Sequence, residues 1–260
     1  MSLALKSVSE YRDWRGAVPG VNSIGFVPTM GGLHEGHFSL ICRSLAENDE
    51  TVVSIYLNRT QFNNTKDFEA YPSDFGQDVA ALEALGVDVV FAPRFEEIYA
   101  DDYRYPVSES RDSLELEGQC RPGHFDGVLT VVMRLLNIVD ASRAYFGEKD
   151  WQQQQLVRGM VDSFFMSVEI VACATERDEL GLALSSRNRR LSPAALERAG
   201  QLNRILRNAP TSECAESLLK EAGFVVEYVV DRGSRRLGAA TLEGVRLIDN
   251  VEREEEENVL

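Results

Sequence analysis

Histidine is scarce in this chain, with three in 260 residues. Cysteine is nearly as rare: four stand alone at 42, 120, 173 and 214, with no CxxC pair. That spacing argues against a disulfide framework or a zinc ribbon, and makes a reducing cytoplasm the expected compartment. No N-terminal apolar stretch of signal-peptide type is present, and no run approaches the roughly 18 apolar residues needed to span a bilayer. The longest apolar runs, such as "FVVEYVV", are strand-length. Positive charge is also short: 27 Lys and Arg against 42 Asp and Glu leave a formal net charge of -15. Such a chain is not expected to bind nucleic acid non-specifically or to partner a membrane, yet a small anionic substrate needs only a few local cations. Five of the acidic residues sit in the tail "EREEEENVL", expected to be a solvated end. No internal repeat or long low-complexity segment is visible.

What is present is 44% apolar residues, enough for a core, and a regular alternation. Ile24–Val27, Thr51–Leu57, Asp88–Phe91, Ala144–Phe146 and Val168–Ala172 read as strands. Phe38–Asn48, Asp74–Leu85, Val128–Val139 and Trp151–Phe164 read as helices between them. This alternation predicts an α/β fold, a parallel sheet with helices on both faces. Beyond about Thr175 the pattern changes. An Arg-rich loop leads to a helix start at Ser192–Pro193, a helix near Ser212–Gly223, and two strands, "FVVEYVVD" and "GVRLIDN". The expected domains are 1–175 and 176–260, the second a smaller α+β unit.

Two of the three histidines fall in "PTMGGLHEGH", Pro28 to His37, just after the first predicted strand. Ligands of open α/β sheets bind beyond the carboxyl ends of strands. Gly31 and Gly32 let backbone approach a ligand, and the following helix start offers unpaired N–H groups to an anion. Three readings are open for His34 and His37: metal ligation, helix capping, or phosphate contact. "HEGH" lacks the i, i+4 spacing of zinc-protease helices, and the glycines and strand context favour phosphate. Three further loops gather cations and hydroxyls: "GQCRPGHFDG" with Arg121 and His124, "YFGEKDWQQQQ" with Glu148, Lys149 and Asp150, and "LALSSRNRR" with Ser185, Ser186 and Arg187. Each alone is also what a solvated basic loop looks like.

In order and spacing, "VPTMGGLHEGH", "QF" with "YP", "RPGHFDGV", "YFGEKDWQQ", "GLALSSRNRRLS" and "RLIDN" resemble the pantoate–β-alanine ligases, also called pantothenate synthetases. The resemblance covers nearly the whole chain. The HxGH element alone marks a wider nucleotidyltransferase superfamily. The resemblance implies a Rossmann-like first domain, a C-terminal domain that covers the site, a homodimer, ATP as substrate and Mg²⁺. It implies two steps. Pantoate attacks the α-phosphate of ATP to give pantoyl adenylate and pyrophosphate; β-alanine then displaces AMP.

By the same resemblance His37, His34 and Lys149 are the catalytic group. ATP would meet Met30, Gly31, Gly32, Leu33, His34, Glu35, Gly36 and His37, then Gly147, Glu148, Lys149 and Asp150, with Gly147 and Asp150 at the ribose. Glu176 and Leu184 would lie along the nucleotide, and Ser185, Ser186 and Arg187 would hold phosphates. Pantoate would be bound by Gln61 and Gln153, in a pocket supported by Asn58, Tyr71, Arg121 and His124. Asp78 would stand near Mg²⁺. Three positions depart from the pattern: Arg59 replaces a proline in "NRTQF", Leu180 stands at a usual Asp, and Glu176 at a usually apolar position. A nucleotidyltransferase that stops at nucleotide transfer, or a nucleotide-binding regulator without turnover, is the competing expectation.

Overall fold

Side chains leave a strand on alternate faces, and here both faces are apolar. In the computed structural model, which describes residues 2–253, the strands are β1 Leu3–Leu5, β2 Ile24–Thr29, β3 Glu50–Ile55, β4 Val89–Phe91, β5 Arg143–Gly147 and β6 Glu169–Cys173. They form one sheet in the order β1-β4-β3-β2-β5-β6, every neighbour parallel. Ile24, Phe26, Val52, Phe91 and Phe146 enter one buried cluster, with Tyr11 of helix Val8–Ala17, Leu129 of helix His124–Val139 and Val157 of helix Trp151–Ser163. Val27, Val53, Val90 and Tyr145 enter another, with Ile41 of helix Glu35–Glu47 and Leu82 of helix Phe75–Leu85. The helices therefore cover both faces, as the alternation predicted. Each such fully buried side chain contributes about 1.5–3 kcal/mol.

Element ends follow local chemistry. Helix Phe75–Leu85 is capped by Asp74, whose carboxylate accepts the Gln77 amide, and stops at Gly86 in the left-handed region. The predicted helix at Phe38 begins three residues sooner, at Glu35, because His34 is its cap. The helix expected from Val128 begins at His124, after Gly123 at φ 78°. β1 and the helix Val8–Ala17 were not predicted. A strand of three residues has no readable alternation, and that helix is set by a capping box between Ser7 and Glu10.

Backbone contacts divide the chain into two units, Met1–Glu148 with Gln152–Ala174, and Lys149–Trp151 with Thr175–Leu260. The second holds helices Pro193–Ala199, Gln201–Asn208 and Ser212–Glu221 and an antiparallel sheet of β7 Val225–Arg232, β8 Arg235–Leu242 and β9 Val245–Glu252. Only two strands were expected there. The missed one, "RRLGAATL", carries small residues of low strand propensity and is held by pairing on both sides. Pro193 occupies the first helical turn behind the Ser192 cap, as its position suggested. The acidic tail beyond 253 lies outside the described residues. Among the described residues no helix is long and apolar enough to cross a membrane.

Candidate active site

Strand order reverses between β2 and β5: the chain runs from β2 outward to β3 and β4 on one side, where β1 forms the edge, and then through β5 to β6 on the other. The crevice beyond such a reversal is the usual ligand position in open α/β sheets. β2 ends at Thr29 and β5 at Gly147, so "PTMGGLHEGH" and "GEKD" both leave the sheet there. Gly25 lets the following helix lie close. A Cβ at that position would fall 2.1 Å from Ser44 Oγ.

The loop after β2 is pinned from several sides. Thr29 Oγ1 donates to Ser54 O at 2.7 Å and accepts the Gly31 amide at 3.2 Å. Gly31 and Gly32 have φ of 80° and 65°, where a side chain is strained. Asp78, buried on helix Phe75–Leu85, accepts the Gly32 amide at 2.8 Å through Oδ2 and the Leu33 amide at 2.9 Å through Oδ1.

His34 and His37 form a reciprocal cap. His34 Nδ1 accepts the Gly36 amide at 3.1 Å, and His37 Nδ1 accepts the His34 amide at 3.3 Å. Their rings lie 4.1 Å apart between centroids. A ring nitrogen that accepts an N–H carries a lone pair, so in each neutral ring the proton belongs to Nε2. Capping uses Nδ1, so Nε2–H is the donor atom of each neutral ring. The capping and phosphate readings are thus compatible on the same side chains. Among the described residues no three His, Cys, Asp or Glu side chains gather as a metal cage.

A second cluster surrounds Gln61, in the short turn Arg59–Gln61 after β3. Asn58, 1% exposed, donates to Gln61 Oε1 at 2.9 Å and to Gly127 O at 3.1 Å. Asn58 Oδ1 in turn accepts from Tyr99 at 2.9 Å and from Thr60 at 2.9 Å. Gln61 Nε2 points to Met30 Sδ at 3.3 Å, linking this cluster to the glycine loop. His124 and Arg121 brace the Gln61 carbonyl, at 2.8 and 3.3 Å. Arg121 Nη1 lies 3.0 Å from His124 Nε2, and arginine only donates, so His124 carries its proton on Nδ1. Gly127 explains the last glycine of "RPGHFDG": a Cβ there would fall 2.5 Å from Thr60 O. Tyr71 is buried with its ring edge-on to Phe62. Gln153 is half-buried on helix Trp151–Ser163, while its neighbour Gln152 is occupied by the Asp112 and Glu115 carbonyls. Burial pushes the Tyr99 phenol up to about 12, so it stays a donor across neutral pH.

The remaining candidates lie mostly in the second unit. Lys149 Nζ is 3.6 Å from Asp150 Oδ2. Ser185 caps the turn Ser186–Arg190 by accepting the Arg187 amide, and Ser186 is buried. Glu176 takes part through its backbone, accepting the Leu184 amide at 2.9 Å. Gly147, which ends β5, and Glu148 just after it are half-buried in the first unit. Leu180 is 53% exposed in a turn closed by Asp178, so its departure from the pattern leaves the turn intact. The Arg59 guanidinium lies 5.1 Å from the Phe95 ring centroid, a cation–π contact that a proline could not make.

Asp78, expected beside Mg²⁺, is buried, and each of its oxygens accepts a loop amide. Its geometry is that of a loop anchor. Mg²⁺ ordinarily takes one or two carboxylates beside water and substrate phosphates, and no residue of this chain is assigned to it. Tyr99 and Thr29 were not anticipated. Tyr99 reaches Asn58 across 41 positions of sequence, and a lone tyrosine carries no motif.

A parallel sheet with a glycine loop, a histidine-capped helix at the strand reversal and a small second unit defines an α/β nucleotide-binding enzyme. A family model described as "Pantoate-beta-alanine ligase" matches residues 3–252. A pantothenate synthetase of Bdellovibrio bacteriovorus is 51% identical over 252 residues, 97% of this chain and 100% of that protein. One from Coxiella burnetii is 45% identical over 95% of this chain and 96% of its own length. The crystal structure of the Francisella tularensis pantoate-beta-alanine ligase, complexed with beta-gamma ATP and beta-alanine, aligns with a TM-score of 0.93 at 38% identity, over 97% of this chain and 98% of that one. The chain belongs to the pantoate–β-alanine ligase family. It is an ATP-dependent ligase that condenses pantoate with β-alanine to pantothenate.

Proposed function

We propose that His34 and His37, Lys149 and the Ser185–Ser186–Arg187 loop bind the ATP phosphates, and that the Gln61 cluster with Gln153 binds pantoate. The observation that carries this reading is the reciprocal histidine cap, because it fixes both rings at a helix start beyond the strand reversal, with Nε2–H as the donor atom of each neutral ring. Met30 to His37 would line the nucleotide through loop backbone, with Gly147 and Asp150 at the ribose and Glu176 and Leu184 along the base. No enzyme nucleophile is required. The pantoate carboxylate attacks the α-phosphorus as the bond to the bridging oxygen breaks and pyrophosphate leaves. The β-alanine amine then attacks the acyl carbon, loses a proton and expels AMP. The chain's task is to orient two anions and to stabilise charge on the phosphate. Since a carboxylate needs no base, His37 serves the first step as a hydrogen-bond donor.

Magnesium would enter with the nucleotide, held by its phosphates and water. A homodimer working in the cytoplasm, with no nucleic-acid or membrane partner, completes the reading; four cysteines with no CxxC pair suit a reducing compartment. The test is direct. With ATP, Mg²⁺ and pantoate alone the enzyme should exchange labelled pyrophosphate into ATP, and His37→Ala and Lys149→Ala should each slow this by about 10²–10³-fold. Near-normal exchange in both variants would overturn the assignment.

A further inference from the structure

The "RLIDN" block ends in two buried residues, Asp249 and Asn250, that none of the roles above uses. Asn250 Nδ2 donates to the Lys149 carbonyl at 3.1 Å, while its Oδ1 accepts from Arg235 at 2.6 Å. Asp249 takes both terminal nitrogens of Arg177, at 2.7 and 2.8 Å, together with Asn203 at 3.0 Å and the Asn250 amide at 2.8 Å. Arg177 also donates to the Gly181 carbonyl at 3.1 Å, and its backbone is bridged to Ala183. Ala183 is two residues before Ser185. Two phosphate-facing segments far apart in sequence, at 149 and at 177–187, are therefore tied to adjacent residues of β9.

We propose that Asp249 and Asn250 are positioning residues for adenylate formation, which set Lys149 in register with the Ser185–Arg187 loop. The inference rests on the phosphate assignments of the preceding subsection. A paired strand is a stiff support, and preorganised donors lose much of their effect when displaced by about 1 Å. The charge of Asp249 matters because only a carboxylate offers two acceptors to the forked arginine. Asn250 suits its place because it donates to a carbonyl and accepts from an arginine through one short side chain.

The test compares Asn250→Ala and Asp249→Asn with Val251→Ala, a change in the next residue of β9, which packs in the second unit's core. Pyrophosphate exchange, KM for ATP, KM for pantoate and Tm are measured on each full-length variant, with Lys149→Ala alongside. Asn250→Ala and Asp249→Asn should lower exchange by roughly 10- to 100-fold and leave the pantoate KM unchanged. Val251→Ala should lower Tm while exchange below its Tm stays normal. Normal exchange in Asn250→Ala overturns the proposal. So does an equal loss in Val251→Ala, which would make the effect one of stability alone. Should Asp249→Asn fail to fold, Asn250→Ala decides. If Lys149→Ala keeps full exchange, the phosphate assignment itself falls; if Lys149→Ala is slow and Asn250→Ala is not, only the positioning role falls.

Discussion

Asp78 and Gly32 stand 46 positions apart in sequence and are joined by a 2.8 Å hydrogen bond from the Gly32 amide to the Asp78 carboxylate. The second oxygen of the same carboxylate holds the next amide, that of Leu33. A glycine loop at φ of 80° and 65° has little intrinsic preference for one shape. The buried carboxylate supplies the missing constraint from a different helix.

Asp78→Asn keeps the shape and removes one acceptor, turning an NH₂ group toward an amide N–H. A buried donor left without a partner costs about 1–3 kcal/mol. We expect a lower Tm and a raised KM for ATP, with the Mg²⁺ concentration for half-activation unchanged. An unchanged Tm with a shifted Mg²⁺ requirement would return Asp78 to the metal.

The histidine cap separates two jobs by substitution. Serine is among the best cap residues, so His34→Ser should preserve helix Glu35–Glu47 and hold Tm near the parent value. It removes the Nε2–H donor all the same, and pyrophosphate exchange should fall by about 10²–10³-fold. If exchange survives, the ring only caps.

The Gln61 cluster predicts an effect at a residue that need not touch substrate. Tyr99→Phe deletes the hydroxyl that donates to Asn58 Oδ1 at 2.9 Å, and Asn58 in turn fixes Gln61. A lost hydrogen bond of about 1 kcal/mol corresponds to about a fivefold rise in KM for pantoate; KM for ATP should not move. Because burial raises the Tyr99 phenol to about 12, its contribution to pantoate binding should be flat from neutral to moderately alkaline pH. An equal rise in both KM values would show that the cluster supports the whole crevice.

Legibility followed the range of the interactions. The parallel sheet could be read because apolar periodicity is local, and Ile24, Phe26 and Val27 declare both faces within four residues. The turn at Gly31–Gly32 could be read because glycine marks positive φ. What could not be read was the partner of each polar group. The residue type of Asp78 suits a metal ligand, and only the fold shows the two amides that it accepts. β8 was missed because "GAATL" draws its strand character from neighbours on both sides rather than from its own residues. Helix Glu35–Glu47 was begun too late because histidine is not a usual cap, and the reciprocal bonding of His34 and His37 is a matter of geometry.

Arg236 tests how the second unit is held together. Its side chain is fully buried and donates to both oxygens of Asp231, at 2.7 and 3.1 Å, and to the carbonyls of Leu206, Ala209 and Pro210. Breaking such a pair from one side leaves a buried charge uncompensated and costs about 3–5 kcal/mol. Arg253 also reaches Asp231, at 2.8 Å, but only Arg236 is enclosed. The hydrogen bonds from Arg236 hold the Asp231 carboxyl below its ordinary value, ahead of the opposing effect of burial. A carboxyl depressed in the folded state stabilises above its unfolded pKa, about 4, and that stability is lost as pH falls through the folded value. Asp231→Asn should therefore lie well below the parent in Tm at pH 7, and the gap should narrow as both are titrated below about pH 4. Thermal unfolding of the full chain followed by circular dichroism checks this, and a gap that stays constant into acid would show that the pair contributes through packing rather than charge.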